Sequence, residues 1–142
     1  MKHILALILL IAFSTSCSKK TTMPENNTKP NALFTNTRWK LMKMPGMELP
    51  QMNDVFIRFY DGKSTGSSGC NRFTGSYESA TADKLKLGPQ AGTRMMCTAE
   101  IMKVEDAFLK ALSNADGYLI SGDHMQLKKG DDLLAEFEAL YL

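Results

Sequence analysis

The sequence is poor in the residues from which most catalytic and metal sites are built. Its 142 residues include two histidines, three cysteines and one tryptophan. His3 lies in the N-terminal leader, so His124 is the one histidine left for a folded domain, and no Gly-x-Ser-x-Gly motif precedes a helix. Cys-x-x-Cys spacing is also missing, and two cysteines with one histidine do not make a zinc site. We therefore expect a protein that is not an enzyme and carries no metal or other cofactor.

A strong charge of one sign and a long apolar run are missing as well. Lysine and arginine number 17 against 15 aspartate and glutamate residues, which gives a net charge of +2. Nucleic-acid-binding proteins have a larger basic excess, so we expect no nucleic-acid partner. The apolar run at residues 4–13 is shorter than the roughly 20 residues that span a bilayer. Lys2 before this run and the small residues 14–16 after it are typical of a secretory signal peptide over residues 1–16.

Cys17 follows the signal peptide directly, and the junction resembles a bacterial lipobox, in which the cysteine is diacylated and becomes the mature N-terminus. An ordinary cleaved signal with an incidental cysteine is the alternative, because Ser14 stands where a lipobox usually has leucine. In the lipoproteins that this junction resembles, an aspartate directly after the cysteine suggests retention in the inner membrane. Ser18 stands at that position, so we predict anchoring in the outer membrane, on its periplasmic side. Residues 17–32 are polar, which predicts a flexible tether. The lipid on Cys17 would attach this tether to the membrane.

Residues 33–142 have the length of one domain, and their patterns alternate between strand and helix. A helix is predicted over 98–113, with Thr98 as its N-cap. Residues 63–68 are small and polar, which predicts an edge-like or bulged strand. The other predicted strands are 37–42, 55–60, 75–79, 85–87, 117–120, 124–128 and 133–142. The predicted fold class is therefore α+β, a small antiparallel β-barrel of seven to eight strands with one inserted helix.

Two motifs stand out within this domain. Residues 69–75 read Gly-Cys-Asn-Arg-Phe-Thr-Gly, and residues 93–97 read Thr-Arg-Met-Met-Cys just before the predicted helix. In this order they resemble the META domain family, and the HslJ-like lipoproteins in particular, over residues 35–142. Further matching residues are Trp39, Leu41, Glu105, Phe108 and Leu112. The resemblance implies a lipocalin-like barrel with one helix and a link to heat shock and envelope stress, and it supplies no catalytic residue or ligand.

The two motifs each contain one cysteine. Once Cys17 is lipidated, Cys70 and Cys97 are the remaining thiols of an exported protein, and an oxidising compartment favours a disulfide between them. Two separately buried free cysteines are the alternative. A disulfide would hold the 69–75 turn against the start of the helix and give a rigid surface. The candidate interaction surface consists of Asn71, Arg72, Thr93 and Arg94.

Two further features leave alternatives open. Glu105 lies one position round from the apolar stripe of the predicted helix, which predicts partial burial and an ion pair near Thr93 or Arg94 rather than a functional acid. Methionine is abundant, with 10 residues. Four of them crowd one stretch, at Met42, Met44, Met47 and Met52. Thioethers are ligands for Cu(I), but methionine also fills irregular gaps in small cores, and we favour the second interpretation.

Two classes of function agree with these patterns. One is a monomeric envelope module that binds another envelope protein or stabilises the membrane under stress. The other is a carrier of a small apolar ligand, since barrels of this kind can enclose one. The aromatic residues expected to fill the barrel are Trp39, Phe56, Phe59, Phe73, Tyr77, Phe108, Phe137 and Tyr141. A filled barrel favours the first class, and a connected interior cavity above about 300 Å³ would favour the second.

Overall fold

The computed structural model describes residues 30–51, 54–79 and 81–141. The predicted signal peptide, Cys17 and most of the predicted tether lie outside the described residues. The elements in chain order are β1 (Arg38–Lys43), β2 (Val55–Tyr60), β3 (Lys63–Ser68), β4 (Arg72–Glu78), β5 (Lys86–Leu87), β6 (Ala91–Gly92), α1 (Ala99–Asn114), β7 (Gly117–Ser121), β8 (His124–Lys129) and β9 (Asp132–Leu140).

The strands form one antiparallel sheet that curls into a half-barrel. Its order is β5-β4-β3-β2-β1-β9-β8-β7, and β6 pairs with β4. The two edges meet where Lys84 bridges Gly117. Beside this bridge the Leu85 N–H donates to the Asp116 carbonyl at 3.2 Å, and the Tyr118 N–H donates to the Asp83 carbonyl at 3.0 Å. The predicted α+β antiparallel barrel with one helix is confirmed.

Aromatic side chains fill the inside of the sheet. Trp39, Phe59, Phe108 and Phe137 are fully buried, as predicted. The prediction was wrong for Phe56 and Tyr141: Phe56 is half-buried on the outer side of β2, and Tyr141 follows the end of β9 and is 65% exposed.

Phe34, which the sequence analysis did not place in the core, completes the interior. Its ring stacks on Phe59 at 4.3 Å and on Tyr118 at 4.2 Å between ring centroids. The indole N–H of Trp39 donates to the Phe34 carbonyl at 3.1 Å, so the segment before β1 is attached to the core by both packing and a hydrogen bond.

β3 is an interior strand, so the prediction of an edge-like or bulged strand was wrong. It pairs with β2 on one side and with β4 on the other. A Cβ atom at Gly66 would lie 2.0 Å from the Phe56 carbonyl oxygen and 2.7 Å from Cζ of Phe73. Small residues are therefore needed here because neighbouring groups pack directly against the strand.

α1 covers the open side of the curled sheet. The helix begins directly after Thr98, as predicted, but the Thr98 hydroxyl makes no capping hydrogen bond. The Phe108 ring lies 5.9 Å from the ring of Phe73 and 6.2 Å from that of Phe137. The single helix in the described part of the chain is not long and apolar enough to cross a membrane.

Two residues predicted as tether are held by the domain. Ala32 is buried, and its N–H donates to the Gly122 carbonyl at 2.8 Å. The Gly122 N–H in turn donates to Asn31 Oδ1 at 2.8 Å. The chain therefore joins the fold at the turn between β7 and β8.

The methionine cluster of the sequence does not share one face. The register between β1 and β9 shifts between Leu41 and Lys43, which leaves Met42 exposed while Met44 is buried in the core. Met47 packs against the core, and Met52 lies outside the described residues. Met44 and Met47 thus serve packing, which agrees with the interpretation of these residues as gap fillers.

Candidate functional site

The two sequence motifs meet at the end of the sheet next to the start of α1. Cys70 and Cys97 form a disulfide with an S–S distance of 2.02 Å and a Cα–Cα distance of 6.0 Å. Cys70 is buried in the turn between β3 and β4, and Cys97 is exposed just before the helix. The predicted pairing is therefore present. Closing a loop of 27 residues stabilises the fold by about 3.5 kcal/mol in the chain-entropy account.

Beside the disulfide, the side chain of Asn71 fastens the same two segments together. Its Nδ2 donates to the Met95 carbonyl at 3.1 Å and to Glu105 Oε1 at 2.8 Å. Its Oδ1 accepts hydrogen bonds from the Met95 N–H at 2.7 Å and from the Thr93 hydroxyl at 2.8 Å. Both donors and both acceptor positions of the amide are occupied.

Asn71 was predicted to belong to the exposed interaction surface, and this was wrong. The residue is 4% exposed, because the 93–95 segment and α1 enclose its side chain. Asn71 therefore lies beneath the 93–95 segment and holds it in place.

Glu105 anchors this arrangement from the helix side. It is 6% exposed, and its Oε2 accepts a hydrogen bond from the backbone N–H of Asn71 at 3.0 Å. The Ser68 hydroxyl lies 2.5 Å from the same oxygen. The predicted burial is confirmed but the predicted ion pair is wrong, because no lysine or arginine among the described residues forms a salt bridge with Glu105. Hydrogen bonds from β3 and the turn take the place of a cation.

An exposed loop lies over this network. Residues 91–100 are exposed throughout, and Arg72 is exposed beside them. The Thr93 N–H donates to the Arg72 carbonyl at 3.0 Å, and the Arg72 N–H donates to Thr93 Oγ1 at 3.2 Å. We call this surface the pinned loop. Its members are Arg72, Thr93, Arg94, Met95 and Met96.

Met95 and Met96 belong to the pinned loop although the sequence analysis did not select them. Met96 is 94% exposed, and Met95 is exposed while its backbone N–H and carbonyl are both held by Asn71. Their position in the sequence could have revealed them, because two adjacent apolar residues between a strand and a helix N-cap cannot both face the core.

The side chains of the pinned loop are of types that contact a partner through charge and apolar packing. Two guanidinium groups and two thioethers dominate it. In the part of the chain that the structure describes, no group of three or more histidine, cysteine, aspartate or glutamate residues could hold a metal ion. His124 lies outside the loop, at the start of β8, and its cross-strand neighbours are Ser121 and Glu138.

Two clefts among the described residues lie beside α1. One of about 400 Å³ separates residues 46–50 from Glu100, Lys103 and Val104 of α1. Another of about 420 Å³ lies between residues 87–90 and the helix residues Leu109 and Ser113. Both exceed about 300 Å³, but they lie outside the barrel, whose interior is occupied by side chains.

Comparison with known proteins agrees with this architecture. A family model described as META domain matches residues 32–140. An NMR structure of a protein from Burkholderia xenovorans is 26% identical with a TM-score of 0.62, and the match covers 77% of this chain and 85% of that one. A second NMR structure is 22% identical with a TM-score of 0.57, covers 74% and 91% of the two chains, and supports the fold alone. No curated protein matches the chain significantly.

Proposed function

The chain belongs to the META domain family, and from this premise we propose that it is a non-enzymatic, lipid-anchored protein of the bacterial envelope whose pinned loop binds another envelope protein during stress. The signal-peptide pattern and Cys17 support the location, which is the periplasmic side of the outer membrane. The resemblance of residues 69–75 and 93–97 to HslJ-like lipoproteins supports the link to heat shock and envelope stress.

The observation that carries the proposal is that the loop is exposed and yet fixed in place. The disulfide and three hydrogen bonds of the Asn71 amide hold the loop: two involve the Met95 backbone and one the Thr93 hydroxyl. Glu105 in turn holds Asn71, by accepting from its backbone N–H and its Nδ2. A loop that is ordered before binding loses less conformational entropy when a partner binds. The loop is held in place although its side chains contribute little to the core, and this favours a role in recognition.

The side chains of the loop indicate the chemistry of the partner. Arg72 and Arg94 are exposed and form no salt bridge with any described residue. Arginine and methionine are enriched in protein interfaces, and complementary charge speeds association. We therefore infer a partner surface that carries carboxylates around an apolar patch, into which Met96 packs.

A carrier of a small apolar ligand is the alternative, and the filled interior disfavours it. Trp39, Phe59, Phe108 and Phe137 occupy the inside of the barrel with no exposed area. The surface clefts that exceed about 300 Å³ lack the enclosure of a carrier site.

Site-specific photocrosslinking tests the proposed contact. A photoreactive amino acid at position 96 should give a discrete adduct with one envelope protein in heat-stressed cells, because Met96 belongs to the pinned loop and is 94% exposed. Mass spectrometry identifies the partner, and the adduct should form again with the purified protein and weaken in Arg94→Ala. The same residue at position 119, an exposed site on β7, is the matched control and should give no such adduct. Equal patterns from both positions, or none from position 96, would contradict the proposal.

The lipid anchor is tested separately. Cys17→Ser removes the acylated thiol, so the protein should move from the membrane pellet to the soluble periplasmic fraction, since stable anchoring needs more than one acyl chain. Ser18→Ala is the control and should remain in the pellet. A Cys17→Ser protein that stays in the pellet at the wild-type level would exclude lipidation as the anchor.

A further inference from the structure

Two arginines lie opposite each other on the outer side of the sheet. Arg38 of β1 and Arg58 of β2 are direct cross-strand partners. Both are half-buried, and their neighbours along the strands, Trp39 and Ile57, point into the core. Like charges directly opposite each other weaken the pairing of two strands, so this position calls for an anion that compensates both guanidinium groups.

The described residues supply one carboxylate for the two arginines. Nη2 of Arg38 forms a salt bridge with Asp54, and its guanidinium lies 3.8 Å from the centroid of the Phe56 ring. Arg58 lies 5.9 Å from the ring of Tyr60 and forms no salt bridge with any described carboxylate. Glu138, an acidic residue on the outer side of β9, is the cross-strand partner of Lys40 rather than of either arginine.

Hydrogen-bonding capacity is unused as well. The Nε atoms of Arg38 and Arg58 are buried and have no hydrogen-bond partner among the described residues. A guanidinium has five N–H donors, and the Nε–H and one Nη–H on the same side form the fork that binds an oxyanion. Arg38 and Arg58 therefore each keep an Nε–H donor without an acceptor among the described residues.

A cleft lies next to the two arginines. Its volume is about 340 Å³. The lining residues are Asn36, Thr37, Arg38, Arg58, Leu140 and Tyr141. We propose that this cleft binds an oxyanion, and specifically a phosphate group, between Arg38 and Arg58. Phosphate suits the site better than a carboxylate does, because its additional oxygens can accept from both guanidinium forks at once.

The proposal is independent of the pinned loop and of the lipid anchor. Free inorganic phosphate and the phosphodiester of a lipid headgroup share the chemistry that the two arginines recognise. Both sources are therefore tested, with inorganic phosphate as one probe and glycerophosphoglycerol, the deacylated headgroup of phosphatidylglycerol, as the other.

The experiment is an NMR titration of the full chain in a neutral detergent, at constant ionic strength set with chloride. The side-chain Nε–Hε signals of Arg38 and Arg58 should shift in a saturable way. Arg58→Gln should weaken binding about tenfold or more, because it removes a charge-assisted fork. Arg58→Lys should also weaken it, since an ammonium keeps the charge but lacks the fork. Arg94→Gln, at an exposed site in the pinned loop, is the matched control and should bind as the wild type does.

The outcomes separate the two sources. If both probes saturate the shifts, the cleft is a general phosphate site. If only glycerophosphoglycerol does, it is a site for a lipid headgroup, and if only inorganic phosphate does, it is a site for the free anion. The absence of a saturable shift at both arginines overturns the proposal, and so does an equal loss in Arg94→Gln. Thermal melting in chloride adds an independent test: Arg58→Gln should melt no lower than the wild type, because it relieves repulsion, whereas a lower melting temperature would assign Arg58 a structural role instead.

Discussion

Trp39→Ala should lower the free energy of unfolding by about 3–5 kcal/mol, a large share of the roughly 5–15 kcal/mol that stabilises a typical domain. The indole is fully buried on the inner face of β1, between its cross-strand partners Ile57 of β2 and Ala139 of β9. Its N–H also donates to the Phe34 carbonyl, so the substitution removes both a large ring and the hydrogen bond that holds the segment before β1. Urea denaturation followed by far-UV circular dichroism measures the effect.

Two variants separate the contributions. Trp39→Phe keeps most of the volume but loses the donor to Phe34, and should cost about 1–2 kcal/mol. Leu119→Ala removes an exposed side chain from β7 and should stay within about 0.5 kcal/mol of the wild type. If Trp39→Ala unfolded at the same urea concentration as Leu119→Ala, the indole would not be a core residue.

The alternation of apolar residues predicted most of the sheet. Val55, Ile57 and Phe59 are buried, and residues 55–60 form β2 with the predicted bounds. Burial on one face enforces a period of two, since a shift by one residue would turn every inner side chain outwards. The same rule placed Ala135 and Phe137 on the inner face of β9.

Composition misled the prediction for β3. Its serines and Gly66 suggested an exposed edge, whereas Ser64, Ser67 and Ser68 are buried. Two hydroxyls meet their hydrogen-bonding needs inside the protein, Ser64 by donating to Gln90 Oε1 at 3.0 Å and Ser68 beside Glu105. A small polar residue can thus be a packing requirement, and only the three-dimensional neighbours reveal this.

Contacts between distant residues could not be predicted from the sequence. Asn71 and Glu105 are 34 positions apart, and each residue type alone is typical of a turn or a helix surface. Arg38 and Arg58 become partners only through the register of β1 and β2, which the alternation of apolar residues does not specify. The disulfide could be predicted without knowing the neighbours of its cysteines, because two thiols in a chain with a predicted signal peptide are expected to pair.

Asn71→Ala should destabilise the domain by about 2–4 kcal/mol, as expected when buried hydrogen-bonding groups are left without partners. The substitution leaves Glu105 Oε1 without its donor, and it leaves the backbone N–H and carbonyl of Met95 without partners beneath the pinned loop. Urea denaturation with the Cys70–Cys97 disulfide intact measures the loss. Thr74→Ala, at an exposed site on β4, is the matched control and should change stability by less than about 0.5 kcal/mol.

The coupling of Asn71 to Glu105 distinguishes this network from simple packing. In Asn71→Ala/Glu105→Met no buried carboxylate remains to be satisfied, so the double variant should be more stable than the sum of the two single losses by more than about 1 kcal/mol. At a temperature where Asn71→Ala is still folded, the photocrosslink from position 96 should weaken, because the loop has lost the amide that orders Met95. Additive losses with an unchanged crosslink would show that Asn71 neither satisfies the buried carboxylate nor holds the pinned loop for a partner.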